Sequence, residues 1–179
     1  MLECGLFQGH RAESERRNRH LPFDPGSIDA VLLSHAHVDH SGRLPALVKG
    51  GFAGPIYATH ATVDLCEILL MDSAYVQNHD LKYLNKRRRK RGELPLEPVY
   101  TEDHVEKTMP LFTGVDYGRP LRVNRDITVT FRDAGHILGS AILEIDAREF
   151  GRNVRVVFTG DLGRADVPIL RDPYQTRRA

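Results

Sequence analysis

The sequence predicts an α/β domain, and three observations carry that prediction. A buried-strand pattern, Ile28-Asp29-Ala30-Val31-Leu32-Leu33, runs directly into a polar loop dense in imidazoles and carboxylates. A long segment after Thr62 places Val63, Cys66, Leu69, Leu70 and Ala74 on one helical face. From residue 121 onward the pattern turns to β, clearest in the alternation Ile127-Thr128-Val129-Thr130-Phe131. With 179 residues, 41% hydrophobic and 27% charged, the chain has the size and balance of one domain with its own core.

Taken in order, Met1-Leu2-Glu3-Cys4-Gly5 reads as the end of a strand with no partner before it. Residues 10–20 are dense in mixed charge and predict a solvated helical turn or loop, and residues 22–26 carry turn chemistry. Leu44, Leu47 and Val48 ahead of Gly50-Gly51 predict a short helix with a glycine stop. Pro55-Ile56-Tyr57-Ala58 is a second short strand. Thr62 is the expected N-cap of the longest helix, with Asp64 favoured by the dipole in its first turn. On that helix Cys66 belongs to the core rather than to reactive chemistry. Beyond Asp80 the chain turns basic at Lys86-Arg87-Arg88-Arg89-Lys90-Arg91, and Pro95 and Pro98 break any helix there. Thr101 caps a short helix running to about Met109. Strands follow at 121–123, 127–131, 141–145 and 154–158, and a proline-bearing tail follows Asp161.

Composition excludes several classes. A formal net charge of +1 gives no global field for nucleic acid, so local charge has to be read instead. Two cysteines, Cys4 and Cys66, make no disulfide framework and no CxxC zinc site. No apolar run approaches membrane-spanning length and no leader opens the chain, so a cytoplasmic location is the expectation. A homo-oligomer is left open.

The stretch His35-Ala36-His37-Val38-Asp39-His40 leaves the C-terminal end of the first strand, the edge where open α/β sheets build their sites. Three imidazoles and a carboxylate suit Zn²⁺. They are too many for one tetrahedral catalytic ion that keeps an open position. Two ions explain the count better, with His35 and His37 on one and Asp39 and His40 on the other. The competing reading is a histidine-rich surface loop, but Ala36 and Val38 interleave the cluster and a buried strand adjoins it. Two further loops end strands: Asp133-Ala134-Gly135-His136 and Thr159-Gly160-Asp161. His136 would complete three histidines on the first ion, and Asp161 would lend one oxygen to each. Gly135 and Gly160 would let backbone approach without a Cβ clash. His10, His20, His60, His79 and His104 read as surface or locally hydrogen-bonded residues.

Glu3-Cys4-Gly5-Leu6-Phe7-Gln8-Gly9, His35 to Gly42, Gly135-His136-Ile137-Leu138-Gly139-Ser140 and Gly160-Asp161-Leu162-Gly163-Arg164 together resemble the successive motifs of the metallo-β-lactamase superfamily. More narrowly they are similar to its RNA-processing β-CASP nuclease branch. The resemblance implies an αββα sandwich, two mixed sheets with helices outside. It implies a hydrolase holding two zinc ions, with iron or manganese less favoured, that cleaves RNA phosphodiesters with a bridging, acidified water. His35, His37, His136 and Asp161 would hold the first ion. Asp39, His40 and Asp161 would hold the second and serve catalysis, Asp39 also orienting the water. Lys86 to Arg91 would contact RNA phosphates, against the plainer reading of a solvated loop.

Three departures from the family pattern shape the expectations. Glu3 stands where the family carries an aspartate supporting the histidine loop, and its extra methylene has room to misplace that support. The family also runs a strand or two ahead of this motif. Its inserted β-CASP domain, the returning half of the sandwich, an acid-supplying histidine and a last zinc histidine follow the Asp161 motif. Residues 1–179 are therefore expected to be a partial domain, with a weakened second ion and apolar surface on an uncovered sheet. A glyoxalase-like thioesterase on the same scaffold, or a non-catalytic metal- or RNA-binding module, are the alternatives.

Overall fold

The computed structural model describes residues 1–176. Strand β1 (Val31–Leu32) pairs in parallel with β2 (Ile56–Thr59), and β2 with β3 (Phe112–Val115). Residues 1–3 extend this sheet: Leu2 bridges Leu32 in parallel, and Leu32 N–H donates to Met1 O at 2.9 Å. The second sheet is an antiparallel meander of β4 (Pro120–Arg122), β5 (Ile127–Asp133), β6 (Ala141–Glu149) and β7 (Arg152–Phe158). Parallel and antiparallel strands are thus kept in separate sheets. Among the described residues the α-helices are α1 (Arg11–Arg19), α2 (Val38–Ser41), α3 (Leu44–Lys49), α4 (His60–Lys90) and α5 (Glu102–Thr108).

The continuous apolar run before the histidine cluster is explained by burial on both faces. Val31 and Leu33 point into a core shared with Leu47, Cys66, Leu70, Tyr100 and Val105 of the helical layer. Leu32 points the other way, into a second core with Val129, Phe131, Ala141 and Leu143 between the sheets. On the far face of the second sheet, Arg132 pairs with Glu144 at 2.9 Å and stacks over Tyr174 of the trailing segment. Val154 and Val156 on the edge strand β7 are 42% and 46% exposed.

Two expectations are corrected, and one strand was not foreseen. The N-cap of α4 is Thr59, whose Oγ1 accepts from Thr62 N–H at 3.4 Å. Thr62 lies inside the first turn and its hydroxyl donates instead to Gly139 O at 2.9 Å. The basic run is not a loop, because α4 continues to Lys90 and its last turn holds Arg87, Arg88, Arg89 and Lys90. Cationic residues there complement the negative end of the helix. Asn85 secures the returning strand of chain, donating to Leu96 O at 2.9 Å and accepting from Leu96 N–H at 2.8 Å. Finally, residues 112–115 form β3, which no apolar alternation announced; a Cβ at Gly114 would lie 2.3 Å from His60 Nδ1. Among the described residues no helix is long and apolar enough to cross a membrane.

Candidate metal centre

The histidine cluster begins where β1 ends, and α2 winds one turn through it. His35 precedes this turn, His37 is its N-cap, and Asp39 and His40 lie within it. Ser41 Oγ pins the turn by donating to Ala36 O at 2.8 Å and His37 O at 3.0 Å. Two loops of the second sheet reach the same point. Ser140 Oγ accepts from His136 N–H at 3.1 Å and from Ile137 N–H at 3.2 Å, which sets the His136 loop. Gly163 N–H donates to Ala134 O at 2.9 Å, laying the Asp161 loop across the His136 loop. A Cβ at Gly163 would sit 1.7 Å from Gly135 O, so only glycine permits that crossing. Gly160 has φ +52° and a Cβ there would meet Ser34 Oγ at 2.5 Å.

These loops bring the expected residues together. His35 Nε2 lies 3.0 Å from His37 Nδ1, and His136 Nε2 lies 3.3 Å from the same atom. Asp161 Oδ2 faces this group, 3.8 Å from His35 Nε2 and 3.5 Å from His136 Nε2. The four donor atoms all lie within 4.8 Å of one another, a separation one ion can span. The other oxygen, Asp161 Oδ1, lies 3.4 Å from His40 Nε2, which is itself 4.0 Å from Asp39 Oδ2. Asp39 and Asp161 stand at the mouth, their side chains 47% and 46% exposed, while His35 is fully buried.

Glu3 organises the back of the centre. Its carboxylate accepts from Ser34 N–H at 2.7 Å and Ser34 Oγ at 3.2 Å, and it meets His40 Nδ1 at 2.7 Å. The extra methylene is accommodated rather than disruptive: Glu3, at φ +59°, reaches both Ser34 and His40. Ser34 Oγ also lies 3.0 Å from His35 Nδ1. One consistent proton arrangement follows. His40 Nδ1–H donates to Glu3, and His35 Nδ1–H donates to Ser34, whose own proton goes to Glu3. Both Nε2 lone pairs are then directed at the mouth, the arrangement metal-binding histidines require. Glu3, His35 and His40 also converge closely enough to suggest a further ion. Their facing atoms are already spent in these hydrogen bonds.

Electrostatics separates the two sides. Burial, reinforced by the neighbouring His40 and His37, pushes His35 down to about 4, so it stays neutral. The hydrogen bond to Glu3 raises His40 above its ordinary value despite burial. Cys66 is fully buried and pushed up to about 12 by desolvation, a core thiol. Lys86 to Arg91 lie at the far end of α4, not at this centre. Sequence reasoning passed over Ser34 and Ser140, because a lone serine carries no signal until the fold supplies its partners.

Comparison with known proteins places the chain. The metallo-beta-lactamase superfamily domain matches residues 1–159. Ribonuclease TTHA0252 of Thermus thermophilus is 40% identical over 175 residues, covering 97% of this chain and 34% of that protein. Transcription termination factor FttA of Methanosarcina mazei is 35% identical, covering 90% of this chain and 23% of that protein. Endoribonuclease ysh-1 of Neurospora crassa is 33% identical over 80% of this chain and 15% of its own length. The chain thus spans about a third or less of these relatives. A solved metallo-beta-lactamase of Cronobacter sakazakii with a HARLDQ motif shares the fold, with a TM-score of 0.50 and 16% identity, over 93% of this chain and 50% of that one. The chain belongs to the metallo-beta-lactamase superfamily, in the β-CASP branch of these ribonuclease and termination-factor relatives.

Proposed function

We propose that this chain carries the metal centre of a two-zinc hydrolase that cleaves RNA phosphodiester bonds in the cytoplasm. The observation that carries the proposal is the split carboxylate of Asp161, with Oδ2 toward the histidine trio and Oδ1 toward His40. The donors fit the ions: three imidazole nitrogens and one oxygen suit a tetrahedral zinc site, and His40, Asp39 and Asp161 Oδ1 suit a second with open positions. When bound, zinc would lower the pKa of water toward neutrality and offset charge on phosphoryl oxygens. His35, His37 and His136 hold the first position, with Glu3 and Ser34 keeping the Nε2 lone pairs of His35 and His40 outward. Asp39, exposed at the mouth, would orient a water there by accepting its hydrogen bond. The second position has the smaller donor set and the looser geometry, so an ion held there would be the weaker of the two.

Lys86 to Arg91 would steer the RNA phosphates. The names of the ribonuclease and endoribonuclease relatives support RNA as the substrate class. The test is elemental analysis of the purified chain followed by incubation with labelled RNA and with a small thioester. One tightly held zinc per chain, a second filled only at higher zinc, and zinc-dependent RNA cleavage lost in D161A are expected. Thioester turnover without RNA cleavage, or metal content unaffected by D161A, would overturn the proposal.

A further inference from the structure

A second site lies beside the metal centre, on the opposite side of the segment that carries Glu3. Arg43 follows the histidine turn directly and its backbone N–H donates to Cys4 O at 2.8 Å. It is only 5% exposed, yet among the described residues no carboxylate lies within ion-pair distance of it. Its Nη2 donates to His20 O at 2.9 Å, and its Nε is buried with no hydrogen-bond partner. A buried guanidinium without a carboxylate partner costs free energy, and an anion meeting the part of it that lines the neighbouring cavity would offset that cost.

The surroundings add positive charge instead of removing it. A cavity of about 470 Å³ is lined by Arg43, Arg16, Arg17 and His20, with Phe7 and Phe23 at its walls. The Arg17 guanidinium lies 3.7 Å from the Phe7 ring centroid and that of Arg43 lies 5.4 Å from it, so one phenyl ring aligns two cations. Phe7 is itself fixed from both sides by Asn18, which accepts from Phe7 N–H at 2.8 Å and donates to Phe7 O at 3.0 Å. Among the described residues, the carboxylate within ion-pair distance of these cations is that of Glu13, 3.8 Å from Arg17, with both side chains largely in solvent. Phe23 remains 38% exposed at the rim.

We propose that this pocket binds a nucleotide phosphate, with Arg43, Arg17 and Arg16 donating to its oxygens and Phe23 offering a face to the base. Several planar forks converging on one cavity match a phosphate, which presents more acceptor oxygens and more charge than a carboxylate. An exposed ring beside a phosphate site is the arrangement that stacks a base without reading its sequence. The pocket adjoins the histidine loop through Gly42 and Arg43, so a strand held here is anchored next to the metal centre. That the nucleotide is a unit of RNA rests on the function proposed above; the pocket's affinity for a nucleoside monophosphate does not.

The test uses the whole chain in excess chelator, so that no zinc offers phosphate a competing site, and titrates 5′-AMP, inorganic phosphate and a short oligoglutamate by calorimetry. AMP and phosphate are expected to bind, AMP the more tightly, and oligoglutamate not to compete. R17E is expected to weaken AMP and phosphate together by about tenfold or more, as loss of a charged hydrogen-bond donor does. R43K keeps the charge but loses the fork and is expected to weaken both. F23A is expected to remove about a fivefold advantage of AMP and leave phosphate unchanged. Circular dichroism checks that each variant folds, and the exposed Arg17 and Phe23 keep the test valid even where R43K does not. AMP binding equal in wild type and R17E, AMP binding that needs zinc, or oligoglutamate competing as well as AMP would each overturn the proposal. RNA cleavage absent while chelated protein still binds AMP through Arg17 would defeat the RNA hydrolase and spare this pocket.

Discussion

Replacing Glu3 with glutamine changes one oxygen to an amide nitrogen, and the geometry around that atom makes the consequence specific. Oε1 accepts from Ser34 N–H at 2.7 Å and Oε2 meets His40 Nδ1 at 2.7 Å, so both ends of the group act as acceptors. A glutamine can serve one partner and must present N–H to the other. If its oxygen stays on Ser34, the amide nitrogen faces His40 Nδ1 and drives the proton to Nε2, the nitrogen aimed at Asp161 Oδ1. If the amide rotates, it opposes Ser34 N–H, which pulls apart the end of β1. Loss of such a supporting hydrogen bond costs about 10–100-fold in metal affinity. The expectation for E3Q is therefore a second-ion dissociation constant raised about 10–100-fold. The first ion, held by His37, His136 and a His35 that still has Ser34, should shift by only a few fold. Cobalt titration followed by visible absorbance resolves the two steps. Equal loss of both ions, or no loss of either, would refute the tautomer argument.

Other expectations follow from the same geometry. Metal uptake should separate with pH: a proton competes at His40, whose pKa is raised, and not at His35, held near 4. The second ion should be lost at a higher pH than the first, which metal analysis after dialysis at stepped pH reads directly. In the metal-free protein the sign for His35 is that of a depressed histidine. The unfolded chain takes up a proton the folded chain refuses, so its share of stability is present above about 6.5 and declines as pH falls toward 4; thermal melts with and without H35Q would isolate it. T59A removes the α4 cap and a hydroxyl that, with Thr62, satisfies Gly139 O. It should cost about 1–2 kcal/mol in denaturant unfolding. G163A places a methyl 1.7 Å from Gly135 O and must spread the two loops. A loss of about 1–3 kcal/mol is expected, along with weakened first-ion binding because His136 and Asp161 separate; unchanged zinc affinity would argue that the crossing does not position them.

The cluster from His35 to His40 was legible because its ligands are sequential. Six residues after a buried strand need no long-range packing to be recognised as chemistry, and the helix stop at Gly50 and the cap at Thr101 are local in the same sense. Residues 86–91 misled for the converse reason. Pro95 and Pro98 announce a break, but α4 persists until Arg91 because Asn85 and Arg88 bind the chain that returns past them. β3 stayed invisible because Phe112 to Val115 is a strand only through its parallel pairing with β2.

By itself the sequence determined the donor chemistry: which imidazoles and carboxylates are present, that they end strands, and that glycines stand where loops must close on them. Tertiary structure alone decided how those donors divide. The two oxygens of Asp161 face different partners because the Gly163 loop crosses the Gly135 loop. The lone pairs of His35 and His40 point outward because Glu3, some thirty residues earlier, accepts the His40 proton directly and, through Ser34, backs the proton of His35. A side chain's type is written in the chain, but the direction of its lone pair depends on hydrogen-bond partners that only the fold brings within reach.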